Sequence, residues 1–231
     1  MKVSRIHVRV IAGAVLLAVV SPALSAQQAP VSSQPDPVRT QVEAFERSLR
    51  NAIEAAAGQL SVKVRQAFPG TDFAFQFQAQ PIVTSWVMPD AGPTFHVLIP
   101  GIDGLSLQMY AMNARRSGQR VTPTGIVPDD PATPSAPAPA LIVNPDAEYT
   151  TLARQSLIDA LLDHALALPV APTQYLTVIA GELPTQPLSP FQQRSRMLIL
   201  QLKGEDLTAL RENRITRDEA KARIKESKYP N

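Results

Sequence analysis

Two carboxylates and an imidazole lie close together in the second half of the chain. Asp159 and Asp163 are four residues apart, and His164 follows directly. Residues four apart share one face of a helix, so both carboxylates would stand beside the imidazole. Carboxylate and imidazole groups bind hard or borderline metal ions, and they also act as acids and bases in hydrolysis. These three residues are therefore the candidate catalytic residues of the chain.

The same residues also fit a solvent-exposed helix face. The surrounding segment has an apolar stripe formed by Ile158, Leu161, Leu162 and Ala165. A helix that buries such a stripe turns polar residues towards water, and we favour this interpretation over a metal or catalytic site. His96 lies opposite the apolar face of a predicted strand, so we expect it to face solvent or a partner.

Motifs with a defined chemistry are absent from the sequence. It contains no G-x-S-x-G, S-x-x-K or H-E-x-x-H pattern, and no phosphate-binding loop of the G-x-G-x-x-G or G-x-x-x-x-G-K type. It also has no cysteine, which excludes thiolate chemistry, disulfides and cysteine metal sites. We therefore expect no cofactor and no metal, and we favour a non-catalytic protein.

Residues 1–26 have the three parts of a signal peptide for export. Basic residues precede an apolar run from Val10 to Val20, and small residues follow up to Ala26. This run is shorter than the roughly 20 residues that span a bilayer, so we expect cleavage after Ser25 or Ala26 rather than an uncleaved anchor. The sequence predicts a periplasmic or secreted protein with no stable membrane anchor after cleavage.

The charge balance argues against a nucleic-acid partner. The whole chain has 22 Lys and Arg against 20 Asp and Glu. Lys2, Arg5 and Arg9 belong to the predicted leader, so 19 basic and 20 acidic residues would remain, a formal charge of −1. Binding to nucleic acid needs a basic excess that survives processing, so we predict no nucleic-acid binding.

Composition divides the rest of the chain into four segments. Residues 27–37 are rich in proline, glutamine and serine and are predicted to form a disordered spacer. Residues 38–116 would hold a helix and antiparallel strands, and residues 141–231 a second α/β segment. The six prolines of residues 117–140 cannot support a sheet ladder, so this segment is predicted to be a flexible linker. The sequence leaves open whether the segments on its two sides share one sheet.

Residues 38–67 have apolar side chains at every third or fourth position, which predicts a helix. A straight helix of this length is about 45 Å long, longer than the domain is wide. It would therefore either bend at Gly58 or project at one end. We predict that this helix binds a partner, either a protein or a cell-envelope polymer.

Four strands are predicted after this helix, at residues 72–78, 82–87, 95–99 and 105–112. In the first of them, phenylalanines alternate with other residues and would share one face. The last two strands would form a hairpin.

In the last segment, a helix is expected from Asn144, which can cap it, to about Leu166. Residues 175–180 and 197–202 are apolar runs typical of central strands covered on both faces. Two short helices follow, the second starting at a Thr216–Glu219 capping box. The pattern predicts an α+β fold, in which an antiparallel or mixed sheet packs against the long N-terminal helix and a second central helix, with two short C-terminal helices.

Three stretches of the second half carry a resemblance: EYTTLARQSLIDALLDHALALP (148–169), YLTVIA (175–180) and LILQLKGEDLTALRENRITRDEAKARI (198–224), with a weaker match at FHVLIP (95–100). In these stretches the chain resembles a group of exported bacterial proteins of unknown function. The resemblance implies export and a shared fold. It implies no activity, so no functional residue is transferred from it.

Two hypotheses about function follow. The first is a non-catalytic cell-envelope or secreted protein that binds a partner through the 38–67 helix or the sheet. The alternative is a periplasmic hydrolase that uses Asp159, Asp163 and His164. The surroundings of these three side chains discriminate between the two hypotheses.

Overall fold

The structure is a computed structural model in which helices and strands alternate along the chain. It describes residues 36–68, 73–116, 119–122, 125–128, 142, 144–182 and 196–230. The predicted signal peptide lies outside the described residues, as do residues 27–35 of the predicted spacer and residues 129–140 at the end of the proline-rich region.

Five helices and seven strands are described, together with one short 3-10 turn. The first half contains α1 (Pro37–Ala67), β1 (Ile82–Met88), β2 (Gly92–Ile99), α2 (Gly104–Arg116), β3 (Gln119–Thr122) and β4 (Gly125–Pro128). The second half contains α3 (Pro145–His164), the 3-10 turn (Ala165–Ala167), β5 (Tyr175–Glu182), β6 (Arg196–Lys203), α4 (Gly204–Arg211), α5 (Arg217–Arg223) and β7 (Lys225–Pro230).

Five of these strands form one mixed sheet in the order β1-β2-β5-β6-β7. β2 and β5 are parallel, and all other neighbours in this sheet are antiparallel. The β2–β5 pair joins the two halves of the chain in a single sheet, and the described residues belong to one compact unit, Pro35–Asn231. The predicted α+β class is confirmed, with a mixed sheet, two long helices and two short C-terminal helices.

α1 begins where the sequence provides a cap and a proline. The Asp36 side chain accepts a hydrogen bond from the Val38 amide, and Pro37 lies in the first turn. The predicted disordered spacer of residues 27–37 is therefore wrong at residues 36 and 37, which cap and begin the helix. The helix passes Gly58 without a break, and residues 36–40 at its start are exposed. Its apolar stripe is buried at Phe45, Leu49, Ile53, Ala56, Leu60, Val64 and Ala67. The N-terminal end therefore extends past the core, as one of the two sequence interpretations predicts.

α1 and α3 pack side by side on one face of the sheet. The rings of Phe45 and Phe95 meet edge to face with their centroids 4.7 Å apart, which joins α1 to β2. Along β5, the buried residues Leu176, Val178 and Ala180 alternate with half-buried ones. A strand covered on both faces would not alternate in this way. The prediction for β5 is therefore right in position and wrong in burial, because the second face of the sheet is only partly covered by described residues.

Residues 105–112 belong to a helix, so the predicted fourth strand is wrong. Asp103 caps α2 by accepting hydrogen bonds from the amides of Leu105 (3.0 Å) and Ser106 (3.2 Å). The helix buries residues that are four apart, namely Ser106, Tyr110 and Ala114. This helical spacing competes with the alternating pattern in the same residues. The predicted hairpin is also wrong, since β2 pairs with β1 across a turn at residues 89–91.

Phe73 and Phe75 are buried and Phe77 is partly buried, so they share one face as predicted, but they do not form the predicted strand at residues 72–78. In the described part of this stretch, Phe77 alone makes a β-bridge, to Ile102. The ring of Phe75 packs against Tyr110 of α2 at a centroid distance of 5.3 Å. The backbone of this stretch makes two hydrogen bonds to residues 101–103, from the Asp103 amide to the Gln76 carbonyl oxygen (2.8 Å) and from the Gln78 amide to the Gly101 carbonyl oxygen (3.1 Å). They form a single bridge, so the predicted strand is wrong.

The proline-rich region contains a short hairpin. β3 and β4 pair antiparallel from Gln119 with Pro128 to Thr122 with Gly125. The prediction that this region holds no strand is wrong at these residues, because Pro128 lies at a strand end, where a missing amide hydrogen is tolerated.

The C-terminal helices are as predicted, but β7 was missed. The Thr216 side chain accepts a hydrogen bond from the Glu219 amide, and the Glu219 side chain accepts one from the Thr216 amide, which completes the capping box. β7 is a polar strand at the edge of the sheet. Edge strands often carry charged residues, so β7 lacks the apolar run that identifies β5 and β6.

Two buried tyrosines differ in the partner of their hydroxyl group. Tyr110 donates to the carbonyl oxygen of Ile142 at 2.9 Å, whereas the Tyr149 hydroxyl has no hydrogen-bond partner among the described residues. We expect Tyr110→Phe to lower the free energy of unfolding by about 1 kcal/mol, because a satisfied hydrogen bond is lost. We expect Tyr149→Phe to leave it unchanged or to raise it by up to about 1 kcal/mol. Urea denaturation of both variants measures the difference.

Alkaline titration provides a second readout of Tyr110. Burial raises the pKa of Tyr110 from 10.0 to about 12, although its hydrogen bond to Ile142 acts in the opposite direction. A raised folded-state pKa gives a stabilisation that is complete below pH 10 and is lost as the pH rises towards 12. Tyr110→Phe should therefore reduce the alkaline loss of stability. An unchanged loss would contradict this assignment.

Candidate functional site

α3 presents the candidate carboxylates on its accessible side. Asn144 caps the helix by accepting a hydrogen bond from the Ala147 amide at 3.1 Å, and Pro145 lies in the first turn. The buried residues of α3 are Tyr149, Ala153, Leu157, Ile158, Ala160, Leu161 and Leu162. The side chains of Asp159 and Asp163 are 38% and 47% exposed. Both carboxylates are therefore neighbours on one face, as their spacing predicts.

Arg217 binds both carboxylates. Its Nε donates to Asp163 Oδ1 at 2.8 Å, and its Nη2 donates to Asp159 Oδ1 at 2.6 Å and to Asp163 Oδ2 at 3.0 Å. Arg217 is the first residue of α5, directly after the capping residue Thr216. The planar guanidinium suits this geometry because its donors fan out in a fixed fork. The two carboxylates predicted to be catalytic thus form an ion pair with Arg217 that joins α3 to α5.

Other polar groups extend this cluster. Gln155 Nε2 donates to Asp159 Oδ2 at 3.0 Å, and Lys221 Nζ donates to Gln155 Oε1 at 3.4 Å. Burial by itself raises the pKa of Asp159, but the hydrogen bonds from Gln155 and Arg217 outweigh burial, and its pKa lies below the ordinary value. Asp159 is therefore ionised at neutral pH with both oxygens already bonded, which makes it a poor general base.

His164 does not complete a catalytic arrangement. It is the last residue of α3 and is exposed. Within the described chain, the hydrogen bonds of Asp159 and Asp163 go to Arg217 and Gln155. No group of three or more potential metal-ligating side chains occurs in the part of the chain that the structure describes. The carboxylates meet as predicted, but they form a structural ion pair with Arg217.

A polar groove lies between α1 and α3, beside this ion pair, and its volume is about 370 Å³. On one side it is lined by Ser48, Asn51, Ala52, Ala55 and Gln59. On the other side Ser156 and Ala160 join the three candidate residues. The small alanine side chains leave space between the two helices, and hydroxyl, amide, carboxylate and imidazole groups surround that space. We call it the α1–α3 groove.

A second cavity, of about 360 Å³, lies at one end of the sheet. Ile99, Ala180 and Leu198, from three adjacent strands, form its apolar part. Arg154 lines it and pairs with Glu226 of β7, with 2.8 Å between Arg154 Nε and Glu226 Oε2. Lys228 also lines it and pairs with the same carboxylate at 3.3 Å. Arg154 and Lys228 thus both pair with Glu226, so the charges of this cavity indicate no particular ligand.

Comparisons with known proteins give no information about the function of this site. No family model, no curated protein and no solved structure matches this chain. Of the helices that the structure describes, none is both long enough and apolar enough to cross a membrane.

The sequence analysis missed Arg217 and the α1 side of the groove. The capping box marks the start of α5, and the polar face of α1 is visible in its periodicity. Neither pattern says what these residues contact. Arg217 is 58 residues from Asp159 and 54 from Asp163, so only the packing of α5 against α3 brings them together.

Proposed function

We propose that this chain is an exported, non-catalytic binding protein of the cell envelope that holds a hydroxyl-rich polymer, a glycan, in the α1–α3 groove. The signal-peptide pattern of residues 1–26 and the resemblance to exported bacterial proteins support export. One observation carries the binding proposal. The groove is lined by hydrogen-bonding side chains, and its two carboxylates are already neutralised by Arg217.

The uncharged groups of the groove favour a ligand that both donates and accepts hydrogen bonds. The amides of Asn51 and Gln59 can do both. The Ser48 hydroxyl donates to the Ala44 carbonyl oxygen at 3.1 Å, which leaves its oxygen as an acceptor. Sugar hydroxyls donate and accept in the same way, so a glycan can satisfy these groups without carrying a charge.

The charged groups of the groove favour the same ligand. Arg217 binds Asp159 and Asp163, and Lys221 lies next in the network through Gln155. Two positive and two negative charges therefore balance, and the groove has no excess charge to select an ion. A strongly anionic or cationic polymer would gain little here from electrostatic attraction.

The predicted role of the 38–67 helix in binding a partner is kept in this proposal, which assigns it to the polar face of the helix. The apolar stripe of α1 is buried in the core. Its polar residues Ser48, Asn51 and Gln59 are the part available to a ligand. A polar ligand therefore fits α1 better than an apolar protein surface does.

Filling the groove tests the proposal. We expect soluble glycan-strand fragments of bacterial cell wall to shift backbone amide NMR signals of α1 and α3 when titrated into the purified protein. Ala55→Trp places a large ring in the groove at an exposed helix position, and should weaken binding at least tenfold. Ala222→Trp makes the same change at an exposed position of α5 outside the groove, and should leave binding unchanged.

Three results would contradict this proposal. They are absence of any glycan-dependent shift, equal weakening by Ala55→Trp and Ala222→Trp, and release of smaller fragments during the titration. The last result would support the hydrolase alternative instead.

Export is checked by mass spectrometry of the native protein, which should begin at Ala26 or Gln27, and retention of residues 1–20 would contradict it.

A further inference from the structure

β1 is a bare edge of the sheet. Within the described chain, its sheet neighbour is β2 on one side, and no strand pairs with its other side. The strand, IVTSWVM, has seven residues and contains neither charge nor proline. Four large apolar side chains are exposed along it, namely those of Ile82, Trp86, Val87 and Met88. An uncharged, exposed edge of this kind is a template for pairing with another strand.

The opposite edge of the same sheet is protected. β7, KESKYP, carries Lys225, Glu226 and Lys228 and ends at Pro230. Charged side chains and proline are the usual means by which edge strands avoid pairing with other chains. Of the two sheet edges formed by described residues, β7 is therefore protected and β1 is not, and an unprotected edge of this kind is suited to pairing with a partner.

We propose that this partner is a second copy of the chain, and that the two β1 strands pair antiparallel about a two-fold axis at Ser85. The two five-stranded sheets then become one continuous ten-stranded sheet. The proposal does not depend on the α1–α3 groove, so either one can fail without the other.

The sequence of β1 is self-complementary in this arrangement. Centred on Ser85, Ile82 stands opposite the partner's Met88, and Thr84 stands opposite the partner's Trp86. Residues 82, 84, 86 and 88 share one face of the sheet, so every pair joins side chains on the same face. Val83 in turn stands opposite the partner's Val87 on the other face. Apolar residues meet apolar or small ones at each pair, and no like charges oppose each other.

The length of the paired strands gives an estimate of the affinity of the proposed dimer. Seven residues in a strand are about 24 Å long, which gives an interface at the small end of the range for specific complexes. We therefore expect a reversible dimer with a dissociation constant of about micromolar order. Sedimentation of the purified protein at increasing concentration should show the change from monomer to dimer.

Trp86 reports on the interface directly, because it is the one tryptophan of the chain. Its side chain is 42% exposed in the monomer. Pairing of the edges covers it, so its emission should shift to shorter wavelength as the dimer forms. A dimer that forms without this shift uses another surface and would overturn the proposal. A protein that stays monomeric up to about 0.5 mM, well above the expected dissociation constant, would overturn it too.

Cross-linking locates the axis, and the absence of native cysteine makes the test clean. Directly opposed residues of antiparallel strands have Cα atoms about 4.5–5.5 Å apart, within the range of a disulfide. Ser85→Cys should therefore form a disulfide-linked dimer under mild oxidation. Ser227→Cys, in the protected edge β7, should remain mostly monomeric. Equal cross-linking of both variants would contradict the proposed register.

A charge on the edge is the complementary test. Val87 is 59% exposed in β1, so Val87→Lys should preserve the monomer fold, as checked by its thermal unfolding. It should raise the dissociation constant at least tenfold, because it puts two lysines into the shared edge. Ser227→Lys adds the same charge to β7 and should leave the dissociation constant unchanged. If β1 instead binds an extended segment of another protein and never pairs with itself, the second copy is the wrong occupant.

Discussion

Replacing Phe95 with alanine is expected to lower the free energy of unfolding by about 3–5 kcal/mol, the usual cost of removing a buried phenylalanine. Phe95 lies in β2 and is fully buried. Its ring meets Phe45 of α1 edge to face at a centroid distance of 4.7 Å. The substitution leaves a cavity between α1 and the sheet, and it removes an aromatic contact that contributes about 0.5–1.5 kcal/mol by itself.

Trp86→Ala is the matched control for Phe95→Ala. Trp86 lies in the neighbouring strand of the same hairpin, but on the open side of the sheet, where it is partly exposed. Its loss should cost about 1 kcal/mol or less when measured at low protein concentration. Urea denaturation of both variants gives the comparison. If both substitutions lowered the free energy of unfolding equally, the second face of the sheet would be as covered as the first, contrary to the burial pattern of β5.

Gly204→Ala is expected to lower the free energy of unfolding by about 3 kcal/mol. A Cβ at Gly204 would overlap the carbonyl oxygen of Ala171 and would lie 2.8 Å from its carbonyl carbon. Neither atom can move aside as a flexible side chain would, because both belong to the backbone. The approach is held by the Gly204 amide, which donates to the Gln174 carbonyl oxygen at 2.8 Å. The start of α4 would have to move away from the loop before β5.

Gly58→Ala provides a control of the opposite sign. A Cβ at Gly58 would meet no atom within 4 Å, and the residue lies inside the unbroken helix α1. Alanine is favoured over glycine inside a helix, so this substitution should raise the free energy of unfolding by about 0.5–1 kcal/mol. Thermal and urea denaturation of both variants should give shifts in opposite directions. A neutral Gly204→Ala would show that α4 does not pack as closely as the structure indicates.

The two proposals use separate surfaces of the protein. The groove lies on the outer side of the helix pair α1 and α3, whereas the bare edge belongs to β1 at the side of the sheet. If both proposals hold, a dimer through β1 would carry two glycan sites in one assembly, and two linked sites bind a polymer more tightly than one site does.

Several helices could be predicted because their signals are local. Asn144 accepts a hydrogen bond from the amide three residues ahead of it, and the Thr216–Glu219 box closes on itself. Such interactions are complete within one helical turn, so neighbouring residues in the sequence are sufficient to indicate them.

The errors occurred where a local pattern has two interpretations. In α2, residues 105–112 were predicted to form a strand, while Ser106, Tyr110 and Ala114 have the spacing of a helix. The rings of Phe68, Phe73 and Phe75 around Tyr110 favour the helix, and they come from other parts of the chain. In β7, the partner strand β6 supplies the apolar surface that β7 itself lacks.

In the candidate site, too, local spacing predicted some features and tertiary packing decided the others. The spacing of Asp159 and Asp163 was sufficient to place them on one helix face. Their chemistry was decided by Arg217, which lies on a different helix and converts two possible bases into one ion pair.

The sequence by itself determined the α+β class, the extent of α1 and α3, the two C-terminal helices and the exclusion of cysteine chemistry. Only the tertiary structure decided that β2 pairs with β5, that β1 has no second neighbouring strand among the described residues, and that Arg217 neutralises the two carboxylates. The physical reason is the range of the interactions. Caps and periodicity act between residues three or four apart, whereas strand partners and ion pairs are chosen by how the whole core packs.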